Sequence, residues 1–231
     1  MEQLPLGVRL RAASTIASFH AGANRPIVAA LEARAALPRL APLFLWSAAG
    51  AGRTHLLQAT CALAAGHGRR AGYLPLAEPW PTPELTAGLE ALDLLCLDDL
   101  GWVAGDAAWE RALFALYNDL AESGGNLVVS ADSAPAGLGI VLPDLASRLT
   151  ASIVFQVRPL VESEQGEALR ARAQALGVEL PDETLQYLQR RLPRDFAALC
   201  DALDRLDAAS LSQQRRLTVP FVRSALQLAG D

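Results

Sequence analysis

The chain has 231 residues, 52% of them hydrophobic and 19% charged, with a formal net charge of −5. That length and apolar content allow one sizeable domain, or a core plus a small second one, and exclude a disordered chain or a coiled coil. The acidic balance is a poor footprint for sequence-independent DNA binding, which depends on basic side chains neutralising phosphates. All 20 basic residues other than histidine are arginine, as a GC-rich coding bias produces.

Residues 1–17 read as a tail. Ile27 to Ala36 carries apolar positions at helical spacing and stops at Pro38. Leu43 to Trp46 is a strand candidate. The next stretch, Ser47-Ala48-Ala49-Gly50-Ala51-Gly52-Arg53-Thr54-His55-Leu56-Leu57, lies between that strand and a helix-like run ending at Gly66-His67-Gly68. It reads as a phosphate-binding loop of the form G-x-x-x-x-G-K-[ST], with Ser47 for the first glycine and Arg53 for the lysine. Backbone N–H groups around Gly50, Ala51 and Gly52 would wrap a phosphate, and the positive end of the following helix would favour its charge. Thr54 would place its hydroxyl on Mg²⁺. Arginine is not a neutral replacement for lysine here, because guanidinium is wide and planar whereas ammonium is a slim point charge.

Ala71 to Leu76 is a second strand candidate, Glu78 to Pro83 a proline-rich loop, and Leu85 to Leu92 a candidate helix. Leu94-Leu95-Cys96-Leu97 then runs into Asp98-Asp99, the form of a strand buried on both faces with acids at its end. The first acid there can hold Mg²⁺ and the second can orient water. Asp106 to Glu122 has a helical period, with Trp109, Leu113, Leu116, Tyr117 and Leu120 on one side. Asn126 to Ser130 is a fourth strand candidate, closing at Ala131-Asp132. There Ser130 and Asp132 either reach a γ-phosphate or serve only the turn before Pro135. A short helix from Leu142 to Leu149 carries Arg148, which either pairs with Asp144 one turn away or projects from the domain edge. Ser152 to Val157 is a fifth strand.

After Pro159 the pattern is helical only, with helices expected at Glu162–Leu176, Asp182–Leu192, Asp195–Leu211 and Val219–Leu228. The fold class is therefore α/β with a five-stranded parallel sheet, followed by a small all-α lid. The expected domains are the tail (1–17), the nucleotide-binding domain (18–160) and the lid (161–231). Cys61, Cys96 and Cys200 lie far apart in apolar surroundings, without metal spacing, and read as buried thiols. No apolar run is long enough to span a bilayer and no signal peptide opens the chain, so a cytoplasmic protein is expected.

Ala51-Gly52-Arg53-Thr54-His55-Leu56-Leu57, Leu97-Asp98-Asp99 and Leu142-Pro143-Asp144-Leu145-Ala146-Ser147-Arg148-Leu149 together resemble the AAA+ module of the bacterial initiator DnaA. Within that branch, the loop arginine, the LPDLASRL string and Arg216-Leu217-Thr218-Val219-Pro220-Phe221-Val222 resemble the Hda family of regulatory inactivators. The resemblance spans about Ser18 to Leu228. It implies ADP or ATP as cofactor, with Mg²⁺, and an adenine pocket near Asn24. Arg148 becomes an arginine finger acting in trans on ATP bound to DnaA, leaving inactive DnaA-ADP. Gln3-Leu4-Pro5-Leu6 looks like the short motif by which that family docks on the β sliding clamp of DNA polymerase III, reaching DNA indirectly; extended-tail docking is a common recognition mode.

The resemblance also allows self-association. Initiators of this branch continue into a helix-turn-helix domain, which the run to Asp231 does not contain, so direct origin recognition is not expected. The lid position where the superfamily places a sensor arginine is Ala197, with Arg194 one turn away. Two other functions compete: a stand-alone AAA+ ATPase, against which Arg53, Ala197 and the missing first glycine count, and a helicase-loader-type adaptor, against which the short tail counts.

Overall fold

The structure is a computed structural model that describes residues 14–193, 196–213 and 217–227. Within it the side chains of residue 197 and residues 211–213 are not described. Gln3, Leu4, Pro5, Leu6, Arg194 and Arg216 lie outside the described residues. Of the described residues, 14–16 and 23–158 form one compact unit, and 17–22 with 159–227 form another.

The first unit is a parallel sheet of five strands in the order β2-β3-β4-β1-β5, with β1 Leu43–Trp46, β2 Ala71–Pro75, β3 Leu94–Asp98, β4 Asn126–Ala131 and β5 Ile153–Gln156. The continuous apolar runs follow from this position. Strands β3 and β4 are buried at every residue, as strands of a parallel sheet with both faces covered must be. Register pairs Tyr73 with Cys96, Pro75 with Asp98 and Cys96 with Val128.

Four helices belong to this unit: α1 Arg25–Ala36, α2 Arg53–Gly66, α3 Ala107–Ser123 and α4 Pro143–Thr150. The stripe Trp109, Leu113, Leu116 and Leu120 of α3, with Leu145 and Leu149 of α4, packs on Phe44, Leu95, Leu97 and Val129. Side chains alternate along a strand, so Leu45, Cys96, Asp98, Val128 and Ser130 turn to the opposite face. Helix α2 packs against β2, β3 and β4. Asp106 caps α3 by accepting from Ala108 N at 2.8 Å and Trp109 N at 3.1 Å, and Gly124 ends it at φ 84°.

One expected helix is absent. Leu85–Leu92 is instead two short 3₁₀ turns, Pro83–Thr86 and Leu89–Ala91, because Gly88 between them takes φ 89° and breaks the run. Cys61 and Cys96 are buried as expected, while Cys200 is only half-buried.

The second unit holds α5 Glu162–Ala175, α6 Asp182–Arg191, α7 Phe196–Gln213 and α8 Val219–Ala225. Leu169, Leu188, Leu203, Leu206 and Val222 form the centre of its core. Arg172 closes it with a bidentate pair to Asp204, its Nη2 at 2.9 and 2.8 Å from the two carboxylate oxygens.

Candidate nucleotide-binding site

The loop between β1 and α2 turns through two left-handed glycines, Gly50 at φ 81° and Gly52 at φ 95°. Both positions disfavour any side chain, which is why glycine stands at each. Ser47, in place of the first motif glycine, is 2% exposed and donates to the Ala48 carbonyl at 2.9 Å. Ala51 is buried, Gly52 caps α2, and Thr54 is exposed on the first turn. His55 Nε2 meets the Thr15 carbonyl at 2.9 Å, and Ser14 Oγ meets Gln58 Oε1 at 3.2 Å, so residues 14 and 15 lie along α2.

Arg53 turns inward. Its guanidinium donates to the carbonyls of Ser47 and Ala131 and pairs with Asp99 Oδ1 at 2.8 Å. One side chain thus joins the loop, the end of β4 and the residue after β3. Asp99 adopts φ 60°, a left-handed conformation uncommon outside glycine. Its N–H points to Ser130 Oγ at 3.0 Å, and burial together with the Asp98 charge pushes its carboxyl up despite Arg53.

Asp98, 2% exposed, accepts from Tyr73 Oη at 2.6 Å on one oxygen and from Ser130 Oγ on the other. Strand alternation puts Tyr73, Asp98 and Ser130 on one face, and the sheet register sets them side by side. Burial first, then the Asp98 charge, drives the Tyr73 phenol far above its ordinary range, so it stays a proton donor. Asp132 is exposed at the end of β4, beside Gly101, where an added Cβ would come within 3.2 Å of its carboxylate.

This donor set does not fit Mg²⁺, which demands near-octahedral oxygen ligands. Both Asp98 oxygens already accept protein donors, and Asp99 is paired with a guanidinium. Of the two residues expected to hold the ion, Asp98 is taken up by hydrogen bonding within the protein, while Thr54 is exposed on the first turn of α2. Among the described residues no group of three or more His, Cys, Asp or Glu side chains is arranged for a metal.

Asn24 is 2% exposed and clasps the backbone after β5: its Nδ2 donates to the Arg158 carbonyl at 2.9 Å and its Oδ1 accepts from Arg158 N at 2.8 Å. Arg148 stands apart from the loop cluster. It is exposed on α4 between the buried Leu145 and Leu149, with its guanidinium 5.7 Å from the centre of the Tyr117 ring. The alternative pairing with Asp144 does not form.

Three contributors escaped the sequence reading. Tyr73 gave no signal, since an aromatic on a strand reads as core. Tyr117 packs on the core stripe as expected, and its contact with Arg148 leaves no trace in that pattern. Glu110 left a signal, an acid at i−3 from Leu113 and i−7 from Tyr117 on the buried stripe. It is 1% exposed and accepts N–H groups from Gly105 at 2.8 Å, Val141 at 3.0 Å and Leu142 at 2.6 Å, pinning the entry to α4.

Known proteins match both units. Residues 82–156 match the bacterial DnaA ATPase domain, and residues 162–226 match the lid domain of Hda. Domain III of the Thermotoga maritima replication initiation protein DnaA superposes with a TM-score of 0.76 at 23% identity, covering 95% of this chain and 98% of that one. AMPPCP-bound DnaA from Aquifex aeolicus gives 0.70 at 22%, over 89% and 68%. The Thermotoga maritima RuvB branch migration motor gives 0.63 at 17%, over 90% and 69%. At these identities the solved structures speak for the fold, a five-stranded AAA+ sheet with a helical lid. Among the described residues no helix is long and apolar enough to cross a membrane. With its DnaA-type sheet unit and its Hda-type lid, the chain is a DnaA-related AAA+ protein of the Hda type.

Proposed function

We propose that this chain is a cytoplasmic negative regulator of replication initiation that, with the DNA-loaded β sliding clamp, promotes hydrolysis of ATP bound to DnaA. The observation that carries this reading is Arg148, exposed on α4 with its guanidinium over the Tyr117 ring. An arginine in that state can complete a neighbour's active site, where it neutralises charge on the transferring phosphoryl group.

The chain's own loop binds a nucleotide, ADP in the resting state, as a conformational element. Gly50, Ala51 and Gly52 offer N–H groups to the phosphates, the start of α2 favours their charge, and Asn24 shapes the wall beside the base. Arg53 occupies the Asp99 carboxylate that would otherwise orient a water, so turnover in this site is slow. Gln3, Leu4, Pro5 and Leu6 dock the chain on the clamp. The decisive measurement is conversion of DnaA-ATP to DnaA-ADP by clamp-loaded protein, wild type against Arg148→Ala. Equal conversion by both removes the finger, and fast ATP hydrolysis without DnaA removes the regulator. In a clamp pull-down, Gln3→Ala with Leu4→Ala is expected to abolish capture; undiminished capture sinks the tail assignment.

A further inference from the structure

The two acids that would serve a metal are engaged with neighbouring side chains. Asp98 receives Tyr73 and Ser130, and Asp99 receives Arg53 at 2.8 Å. The same guanidinium holds the Ser47 and Ala131 carbonyls, and the Arg53 side chain is only 10% exposed. Guanidinium is a rigid fork of five donors that stays charged, so it can serve several acceptors at once; an ammonium on a flexible stem is a compact point charge.

Resting on the nucleotide-binding reading above, we propose that Arg53 is the resident cation of this site and that the site takes a nucleoside diphosphate without a divalent metal. A metal in such a loop serves two purposes: it offsets phosphate charge, and it is held by the acid that ends the strand. Here Arg53 supplies positive charge beside the loop, and each oxygen of that acid already accepts a protein donor, a phenol on one and a hydroxyl on the other. The arrangement is set by the backbone as well as by rotamers, since the left-handed turn at Asp99 also aims its N–H at Ser130 Oγ. A diphosphate then rests on the loop N–H groups and on the positive end of α2. A triphosphate adds negative charge near Asp98, Asp99 and Asp132 with no metal to offset it, so the site favours the diphosphate.

The test is calorimetric titration of ADP into the full chain in Mg²⁺ and, separately, in EDTA. Dissociation constants within ~2-fold of each other are expected for the wild type. Arg53→Lys is expected to lose ~10-fold or more in EDTA and to recover most of it with Mg²⁺, because lysine cannot hold three acceptors from one plane. Wild-type binding ~10-fold or more tighter in Mg²⁺ than in EDTA overturns the proposal and leaves nucleotide binding standing. Binding in neither buffer overturns both. If the lysine variant does not fold, Mg²⁺ is titrated into the ADP-loaded wild type: an unchanged melting temperature supports the resident cation, and a saturating rise overturns it.

Discussion

Two arginines in the same unit meet opposite surroundings. Arg53, on the first turn of α2, is drawn inward among two carbonyls and a carboxylate. Arg148, on the short α4, is exposed and touches one aromatic face. Helix propensity is the same for both, so the surroundings alone separate them. Arg53 follows a loop whose glycines bring three chain segments within reach of its guanidinium. Arg148 lies on a helix anchored by Leu145 and Leu149 on its other side, with Glu110 pinning its entry. The contrast teaches that the surroundings decide whether a guanidinium serves its own loop or faces outward.

The sharpest break of this contrast is Arg148→Ala. Conversion of DnaA-ATP is expected to fall ~10³-fold or more, because an arginine finger supplied in trans contributes on that scale. Stability should change by only ~0.5–1 kcal/mol, the worth of an exposed cation–π contact, as thermal melting would show. A large stability loss with conversion intact would reverse the assignment of the two arginines.

Glu110→Ala comes next. It strands three backbone N–H groups at the entry to α4, and urea unfolding is expected to show a loss of ~3 kcal/mol. This position also gives a pH signature. Burial alone would raise the Glu110 carboxyl, but the Val141, Leu142 and Gly105 N–H groups outweigh it and hold the group below its ordinary 4.5. The native carboxyl therefore binds its proton less readily than the unfolded one. Its contribution is complete above about pH 4.5 and is lost as the pH falls through the lowered native value. Glu110→Gln should flatten that part of the stability curve; an unchanged acid limb would remove Glu110 as the pin.

Tyr73→Phe is the smallest change, deleting one donor to Asp98 and nothing else in shape. A loss of ~1–2 kcal/mol in urea unfolding is expected, the worth of a hydrogen bond to a charged acceptor. No loss would mean that Ser130 alone satisfies Asp98, which would weaken the case that this acid is closed to a metal.

Much of the fold was legible in the chain. The run Leu94–Leu97 ending in Asp98-Asp99 announces a buried parallel strand, because burial on both faces leaves no polar position until the strand ends. The 3.6-residue stripe of α3 and the glycines at 124 and 125 mark a helix and its stop. The helix expected at Leu85–Leu92 failed because one glycine in a left-handed turn outweighs a run of apolar residues, and composition does not report φ. At the site, the loop and the two acids follow from motif order, whereas Arg148 stands out only through the family resemblance.

What those residues touch could not. Arg53 engages a carbonyl of its own loop with a carbonyl and an acid from two distant segments, and a backbone carbonyl leaves no trace in residue identity. Tyr73 reaches Asp98 only because β2 and β3 pair in one register, setting Pro75 beside Asp98. Local periodicity records which face of an element is buried, so residue order alone carries the five strands, most of the helices, their succession and the family they belong to. Which donor meets which acceptor depends on register and loop closure, and it takes the folded chain to turn the loop arginine toward an internal acid and the α4 arginine outward.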